Sequence, residues 1–286
     1  MRHPEWIKVK TTGMHAVKTA LRRHGVSTVC EEARCPNQGE CFSRGTATFM
    51  ILGDRCTRNC SFCSVLSADP LPLDTGEPER VADATLALGL KFVVITSVTR
   101  DDLADGGAGQ FAKTIQSIRD RNPETMIEVL TPDFRGKINA LRTVLDAGPD
   151  VFNHNIETVP SLYSVVRPQV GTTRFRADYA ISLGVLRSAK ALYPDTKTKS
   201  GIMLGLGEKE PEVISVMRDL RAIDCDFLTI GQYLRPRKEN IPVVEYIRPE
   251  IFEEYKNRGL KMGFKAVASS PLTRSSMNAE EMFEQK

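Results

Sequence analysis

Thr46-Ala47-Thr48-Phe49-Met50-Ile51-Leu52-Gly53-Asp54-Arg55-Cys56-Thr57-Arg58-Asn59-Cys60-Ser61-Phe62-Cys63 joins a β-rich run to a loop with three cysteines. The run Thr46–Gly53 is dense in Thr, Phe, Met, Ile and Leu and stops at glycine, the pattern of a strand. Five similar runs follow it: Lys91–Val98, Thr125–Pro132, Asp150–Glu157, Lys197–Gly207 and Cys225–Leu234. Helical stretches lie between them, among them Pro78–Leu88, Gln110–Arg121, Gly136–Asp146, Arg174–Leu192 and Pro211–Ile223. In the last, Val213, Val216, Met217 and Leu220 recur at i, i+3, i+4 and i+7 and share one helix face. Strand–helix alternation over six units predicts an α/β fold with a parallel sheet and crossover helices. Spacing alone leaves a barrel and a doubly wound sheet both open.

The two ends do not share that rhythm. In residues 1–45, Met14, Val17 and Leu21 share a face of a predicted helix stopped by Gly25, and a cysteine-bearing loop follows. Residues 266–286 also fall outside the repeat. Both ends read as extensions packed on the central unit, 46–265, because neither holds enough apolar residues for its own core.

Composition narrows the class. The 286 residues are 41% hydrophobic and 26% charged, which suits a globular chain and argues against disorder. A chain of this length buries a core without cross-links. The formal charge of +3 is too small for a nucleic-acid binder. No apolar run reaches the roughly 18 residues of a membrane span. Met1-Arg2-His3-Pro4-Glu5-Trp6 lacks the apolar stretch of a secretory signal. The expectation is a cytoplasmic protein with no nucleic-acid or membrane partner. Thiols stay reduced there, so clustered cysteines read as metal-binding or catalytic rather than as disulfides.

Six of the seven cysteines lie between Cys30 and Cys63, in two triplets. Cys30, Cys35 and Cys41 form C-x4-C-x5-C, and Cys56, Cys60 and Cys63 form C-x3-C-x2-C. Close spacing lets one loop bring three thiolates to one metal centre, and thiolates favour zinc or iron–sulfur clusters. A structural zinc wants four ligands, so a zinc reading needs a distant His or Cys for each triplet. Three thiolates instead suit a cluster whose fourth iron binds something else. Cys225, at the start of a strand candidate, reads as a small buried hydrophobe.

C-x3-C-x2-C directly after the first strand of an α/β chain resembles the radical SAM superfamily. Thr28-Val29-Cys30-Glu31-Glu32-Ala33-Arg34-Cys35-Pro36-Asn37-Gln38-Gly39-Glu40-Cys41 resembles the N-terminal cluster loop of the lipoyl synthase family. Further matches fall at Gly45–Gly53, Thr99–Leu103, Asp105–Ala108, Val151–Thr158, Lys199–Gly207 and Gly231–Leu234, so the resemblance covers about residues 5–278. It implies a partial TIM-type (β/α)6 barrel with an N-terminal cluster-binding extension and a short C-terminal one.

The resemblance also implies the chemistry. Two 4Fe–4S clusters and S-adenosyl-L-methionine serve as cofactors. Cys56, Cys60 and Cys63 hold the cluster that cleaves the cofactor to a deoxyadenosyl radical. Cys30, Cys35 and Cys41 hold an auxiliary cluster that donates sulfur. Two sulfur atoms enter at C6 and C8 of an octanoyl chain on a lysine of a carrier protein. Carriers of this kind are the lipoyl domains of 2-oxoacid dehydrogenase E2 subunits and the glycine cleavage H protein. Electron-donor and iron–sulfur carrier proteins are further partners. The auxiliary cluster takes a serine from a C-terminal Arg-Ser-Ser-Tyr motif, matched here by Arg274-Ser275-Ser276-Met277. Ser276 is the expected ligand and Ser275 the alternative. Met277 replaces the family's Tyr, and Phe42 stands where Trp is common. Rival readings are another sulfur-inserting enzyme of the biotin synthase type, or a non-catalytic zinc or iron–sulfur protein.

Barrel enzymes gather functional residues at the C-terminal ends of their strands. Thr96 and Ser97 end the second strand candidate and are expected at the cofactor. Period-two alternation puts Asn153, Asn155 and Glu157 on one face and His154 on the other. Asn155 and Glu157 are expected to bind the amino group or ribose of S-adenosylmethionine. Arg167 offers a bidentate fork for its carboxylate. Ser200 and Gly205 sit on a strand whose glycines permit close approach of a ligand. The run Arg235-Pro236-Arg237-Lys238 is expected near the barrel mouth.

Overall fold

The computed structural model describes residues 4–7, 15–32, 35, 37, 41, 48–168, 175–277 and 279–284. Met14 and Phe42, named above, lie outside the described residues, as do the first two positions of the Thr46–Gly53 run.

Seven parallel strands form one sheet. They are β1 Thr48–Ile51, β2 Phe92–Ser97, β3 Met126–Leu130, β4 Val151–Asn153, β5 Lys197–Leu204, β6 Phe227–Gln232 and β7 Ala266–Ser270. Each pairs with its neighbour in chain order, and Ser27–Thr28 adds an antiparallel edge to β1. Among the described residues the two edges do not pair with each other, so the barrel is partial.

The repeat therefore runs one strand beyond the expected six, and the extension expected at 266–286 begins as a barrel strand. Ala266-Val267-Ala268-Ser269-Ser270 has one β-branched residue, which hides it from a propensity reading. Asp150–Glu157 forms less strand than expected, because β4 stops at Asn153 and the chain turns irregular.

Among the described residues the longer helices are α1 His15–His24, α2 Glu77–Ala87, α3 Ala108–Arg121, α4 Ile138–Asp146, α5 Tyr179–Leu192, α6 Glu210–Ala222, α7 Pro249–Lys261 and α8 Ala279–Glu284. Pro78, Pro211 and Pro249 occupy first turns, where a missing N–H costs nothing. Asp178 caps α5 by accepting from Ile181 N–H at 3.1 Å.

Alternation along the strands makes two cores. Outward residues such as Phe49, Ile95, Ile127, Phe152 and Leu228 bury against Phe111, Ile118, Val144 and Met217 of the helices. Inward residues Phe92, Val151, Phe227 and Ala266 pack on Ala279 and Met282, so α8 fills the N-terminal end of the barrel. Further along the strands Lys199 Nζ lies 2.9 Å from Glu128 Oε2, and Asn153 Nδ2 donates to Glu128 Oε1 at 2.8 Å. A buried charge pair is tolerable only when bonded in this way. The C-terminal strand ends are left to enclose a cavity.

Candidate active site

The cavity has a volume of about 800 Å³. All six clustered cysteines line it, as do Ser275 and Ser276. Residues more than two hundred positions apart in sequence thus share one space. Cys225 does not line it. Its side chain is buried in the core and donates toward Phe227 O at 3.4 Å. Among the described residues no disulfide forms.

The Cys56–Cys63 loop leaves β1 and is held from several sides. Cys56 Sγ accepts from the N–H groups of Arg58 and Thr99, each at 3.4 Å. Arg58 turns inward between two carboxylates. Its Nε and Nη2 reach Asp101 at 2.7 and 2.9 Å, and its Nη1 and Nη2 reach Asp133 at 2.6 and 2.8 Å. Burial alone would raise Asp133, but the bonds and charge of Arg58 hold it well below the usual carboxylate range. Asn240 Nδ2 donates to Cys63 O at 2.7 Å and Ser61 O at 3.2 Å. Ser61 N–H donates to Val166 O at 3.0 Å. None of these clamps was legible in sequence. Arg58 sits between two cysteines, and nothing there marks it as buried.

The other loop follows the edge strand through a one-turn helix, Val29–Glu32. Backbone turns place its thiols: Cys35 N–H donates to Cys30 O at 3.0 Å and Cys41 N–H to Asn37 O at 2.9 Å. Asn37 Nδ2 donates to Leu272 O at 2.6 Å and to Met277 Sδ at 3.1 Å. One amide thus ties the first triplet to the Arg274–Met277 segment. Met277, in place of Tyr, serves as acceptor there. Ser64 Oγ donates to Glu32 O at 2.8 Å and joins the two cysteine loops.

Burial pushes the Cys30 thiol up to about 12, with Cys35 adding to it, and pushes Cys63 up to about 12 as well. Such thiols lose their protons when iron binds. Among the described residues no three His, Cys, Asp or Glu side chains converge on a single metal ion. A cubane cluster spreads its thiolates over separate irons, so its ligands need a common wall rather than a common point.

The same cavity takes most of the expected cofactor residues: Thr96, Ser97, Asn155, Glu157 and Arg167. Among the described residues, buried Ser97 Oγ, Thr131 Oγ1, His154 Nε2 and Arg167 Nε have no hydrogen-bond partner, though their residues line this wall. Orphaned groups of this kind fit a polar ligand. Gly201 lines the wall too, and a Cβ there would stand 2.8 Å from Asn155 Oδ1 and 2.9 Å from Ser275 Oγ. Glu157 holds φ at +70°, a strained value for a non-glycine, while its backbone still bridges to β5. Burial raises the Glu157 carboxyl, and Arg167 opposes that rise. Arg167 is itself buried, over the Tyr163 ring at 5.6 Å.

Three expectations change. Ser200 does not line the cavity. Its hydroxyl is buried, donating to His154 O at 2.9 Å and accepting from Ile156 N–H at 3.2 Å, so it braces the segment that carries Asn155. Gly205 makes room for Gln232, whose Nε2 would lie 2.1 Å from a Cβ there, rather than for a ligand. His154 also lines the cavity, beside Asn155 and Glu157 rather than on the opposite face, while Asn153 keeps its inward place, bonded to Glu128. The two-residue period fails because the strand has ended. His154 Nδ1 meets Thr131 O at 2.8 Å, and burial, then Arg167, depresses the ring to about 4. Arg235 and Pro236 reach the cavity rim, as expected of the basic run.

The Radical SAM superfamily model matches residues 50–220. A lipoyl synthase of Caldanaerobacter subterraneus subsp. tengcongensis is 56% identical over 98% of this chain and 96% of its own. One from Alkaliphilus metalliredigens is 54% identical over 99% and 96%. One from Burkholderia mallei is 53% identical over 98% and 84%. Among solved structures, HydG, a maturase of the FeFe-hydrogenase, superposes with a TM-score of 0.61 at 14% identity over 82% of this chain and 54% of that one. Methylornithine synthase gives 0.53 at 15% identity over 88% and 74%. These two likenesses are of fold.

Proposed function

The chain belongs to the lipoyl synthase family of the radical SAM superfamily, and from that premise we propose which of its residues carry the family's reaction. That reaction is the insertion of two sulfur atoms, at C6 and C8, into an octanoyl chain on a carrier-protein lysine. Cys56, Cys60 and Cys63 hold the 4Fe–4S cluster that works with S-adenosylmethionine. Cys30, Cys35, Cys41 and Ser276 hold the auxiliary cluster. Bound there, the first cluster and S-adenosylmethionine supply a hydrogen-abstracting radical, and the second cluster supplies sulfur.

The observation that carries this reading is that both triplets and both serines line one cavity. With both groups bound, these residues would hold the radical source and the sulfur source within one enclosed space. Ser276 is favoured over Ser275 because Ser275 Oγ already donates to Asn155 Oδ1 at 2.8 Å. Arg167 meets the methionine carboxylate, while Asn155 and Glu157 bind its amino group or the ribose. Thr96 Oγ1 is committed to Leu130 O at 2.9 Å, so Thr96 shapes the wall while the Ser97 hydroxyl is available. Ser200 acts as a positioning residue beneath Asn155.

The carriers are E2 lipoyl domains and the glycine cleavage H protein, with an electron donor and an iron–sulfur carrier as further partners. The setting is cytoplasmic, where a reducing milieu keeps six thiols ready for iron. Among the described residues no helix is long and apolar enough to cross a membrane.

Anaerobic reconstitution followed by turnover tests this reading. Loading is expected to give about eight irons per chain, two clusters' worth. With reductant, S-adenosylmethionine and an octanoyl-lysyl peptide, 5′-deoxyadenosine and a lipoyl peptide are expected. A chain that takes up one cluster, or only zinc, overturns it.

A further inference from the structure

Arg274 opens the serine-bearing turn, which Met277 N–H closes on Arg274 O at 2.9 Å. Its Nη1 donates to Thr273 O at 2.6 Å and to Pro271 O at 3.4 Å, folding the guanidinium back over the exit from β7. Gly231 on β6 makes that fold possible. A Cβ there would stand 2.1 Å from Thr273 O and 3.1 Å from Arg274 Nη1. The side chain is half-buried and lines the cavity with Cys35, Ser275 and Ser276.

Both bonds use one nitrogen and neutral carbonyls. Among the described residues, no carboxylate pairs with Arg274. A guanidinium packed into protein is costly without an anion and stays charged regardless. The guanidinium and the Cys35 thiol share one cavity wall, so a cluster held by the first triplet and Ser276 would lie in the same space as this cation.

We propose that Arg274 is the counter-ion of the auxiliary cluster, holding it by charge and raising its reduction potential. This rests on the assignment of that cluster to Cys30, Cys35 and Cys41. A cubane core held by three thiolates carries net negative charge, and reduction adds more. A neighbouring cation stabilises both states and the reduced one more. Hydrogen bonds and charge around a cluster set its potential in this way. Arg274 acts through the cluster and its ligands, so it is a positioning residue. It also couples the turn to the cluster, because the chain that presents Ser276 also supplies the neutralising charge.

The test uses the full chain with Cys56, Cys60 and Cys63 replaced by alanine, so that iron signals report the auxiliary site alone. Arg274, Arg274→Gln and Arg274→Lys versions are loaded with iron and sulfide. Potential is read by redox titration, and iron release by a chelator. Arg274→Gln is expected to weaken reduction about tenfold, which for one electron is ~59 mV lower. Iron release is expected to speed up about tenfold, the scale typical of lost support around a metal site. Arg274→Lys is expected to recover most of both. Loading in the Lys variant but not the Gln variant also supports charge as the cause. An unchanged potential in a fully loaded Gln variant overturns the proposal. So does a Lys variant no better than Gln, or failure of both to load, because the shape of the turn then matters rather than its charge. If the chain with Arg274 intact loads no four-iron cluster, the site assignment itself falls.

Discussion

The two cysteine loops face the same cavity but are built in different ways. The Cys56–Cys63 loop is anchored by a buried cation between two carboxylates, with Arg58 bonded to Asp101 and Asp133. Asn240 and Ser61 then fix it to the far side of the barrel. Among the described residues, the Cys30–Cys41 loop is tied by neutral bonds, among them those from Asn37 to Leu272 O and Met277 Sδ and from Ser64 to Glu32 O. Its remaining proposed ligand comes from the chain's other end. Charge-assisted bonds are roughly twice as strong as neutral ones. A cluster that returns to the same state each cycle gains from a rigid mount. A cluster that gives up sulfur gains from ligands that can part.

The largest test of that contrast is to remove each triplet. Replacing Cys56, Cys60 and Cys63 by alanine is expected to abolish 5′-deoxyadenosine. Replacing Cys30, Cys35 and Cys41 is expected to leave that product and abolish the lipoyl peptide. Chromatography of the nucleoside and mass spectrometry of the peptide separate the two. Equal loss of deoxyadenosine from both would end the division of labour. Within the second loop, Ser276→Ala is expected to stop sulfur insertion, and Ser275→Ala to slow it by about tenfold at most, the order of one lost hydrogen bond. The reverse order, read by the same mass spectrometry, moves the ligand to Ser275.

Arg58→Met sharpens the contrast energetically. It leaves Asp101 and Asp133 buried at 8% and 1% exposure with their shared cation gone. Breaking a buried ion pair from one side costs about 3–5 kcal/mol. Urea unfolding of the metal-free chain is expected to show that loss. A cost under about 1 kcal/mol, the scale of a surface pair, would mean that the loop is not mounted on this network.

The strand–helix rhythm and both triplets were legible because each has a local signature: apolar alternation, and close cysteine spacing. Of the proposed cofactor residues, Thr96, Ser97, Asn155, Glu157 and Arg167 reach the cavity. Ser200 does not, because its hydroxyl is spent on the backbone of His154 and Ile156. The clamps were not legible. Arg58 meets Asp133 across 75 positions and Asn37 meets Leu272 across 235, and no local period encodes such pairs. β7 was missed because small residues serve as a strand only where a neighbour already supplies the ladder.

His154 contributes to the acid limb of stability. Its ordinary value is 6.5, and in the fold it lies near 4. The unfolded chain therefore binds more protons between those values. The contribution of His154 is full above about pH 6.5, falls as pH drops toward 4, and levels off below. The total is roughly 3 kcal/mol. His154→Gln is expected to flatten that stretch in urea midpoints measured from pH 7 to 4. Because Asp133 and Arg58 act on the same ring, the effect tests the firm loop's side of the cavity. A wild-type curve as flat as the variant's would show that the ring protonates without cost.

The finest comparison sets Asn37→Ala beside Asn240→Ala. Each removes one amide that donates two bonds, Asn240 to Cys63 O and Ser61 O, Asn37 to Leu272 O and Met277 Sδ. Each loss is expected to cost about 1–3 kcal/mol, with Asn37 toward the upper end because it is 4% exposed and Asn240 is half-buried. Stability alone therefore barely tells them apart, and the products do. Asn240→Ala is expected to slow deoxyadenosine formation, because it loosens the carbonyl of a cysteine in the C-x3-C-x2-C loop. Asn37→Ala is expected to leave that rate and lower the lipoyl product per deoxyadenosine, because it unties the first triplet from the serine turn. If both variants lowered the two rates in proportion, the loops would be one mechanical unit joined through Ser64, and the contrast between a firm and a parting mount would fail.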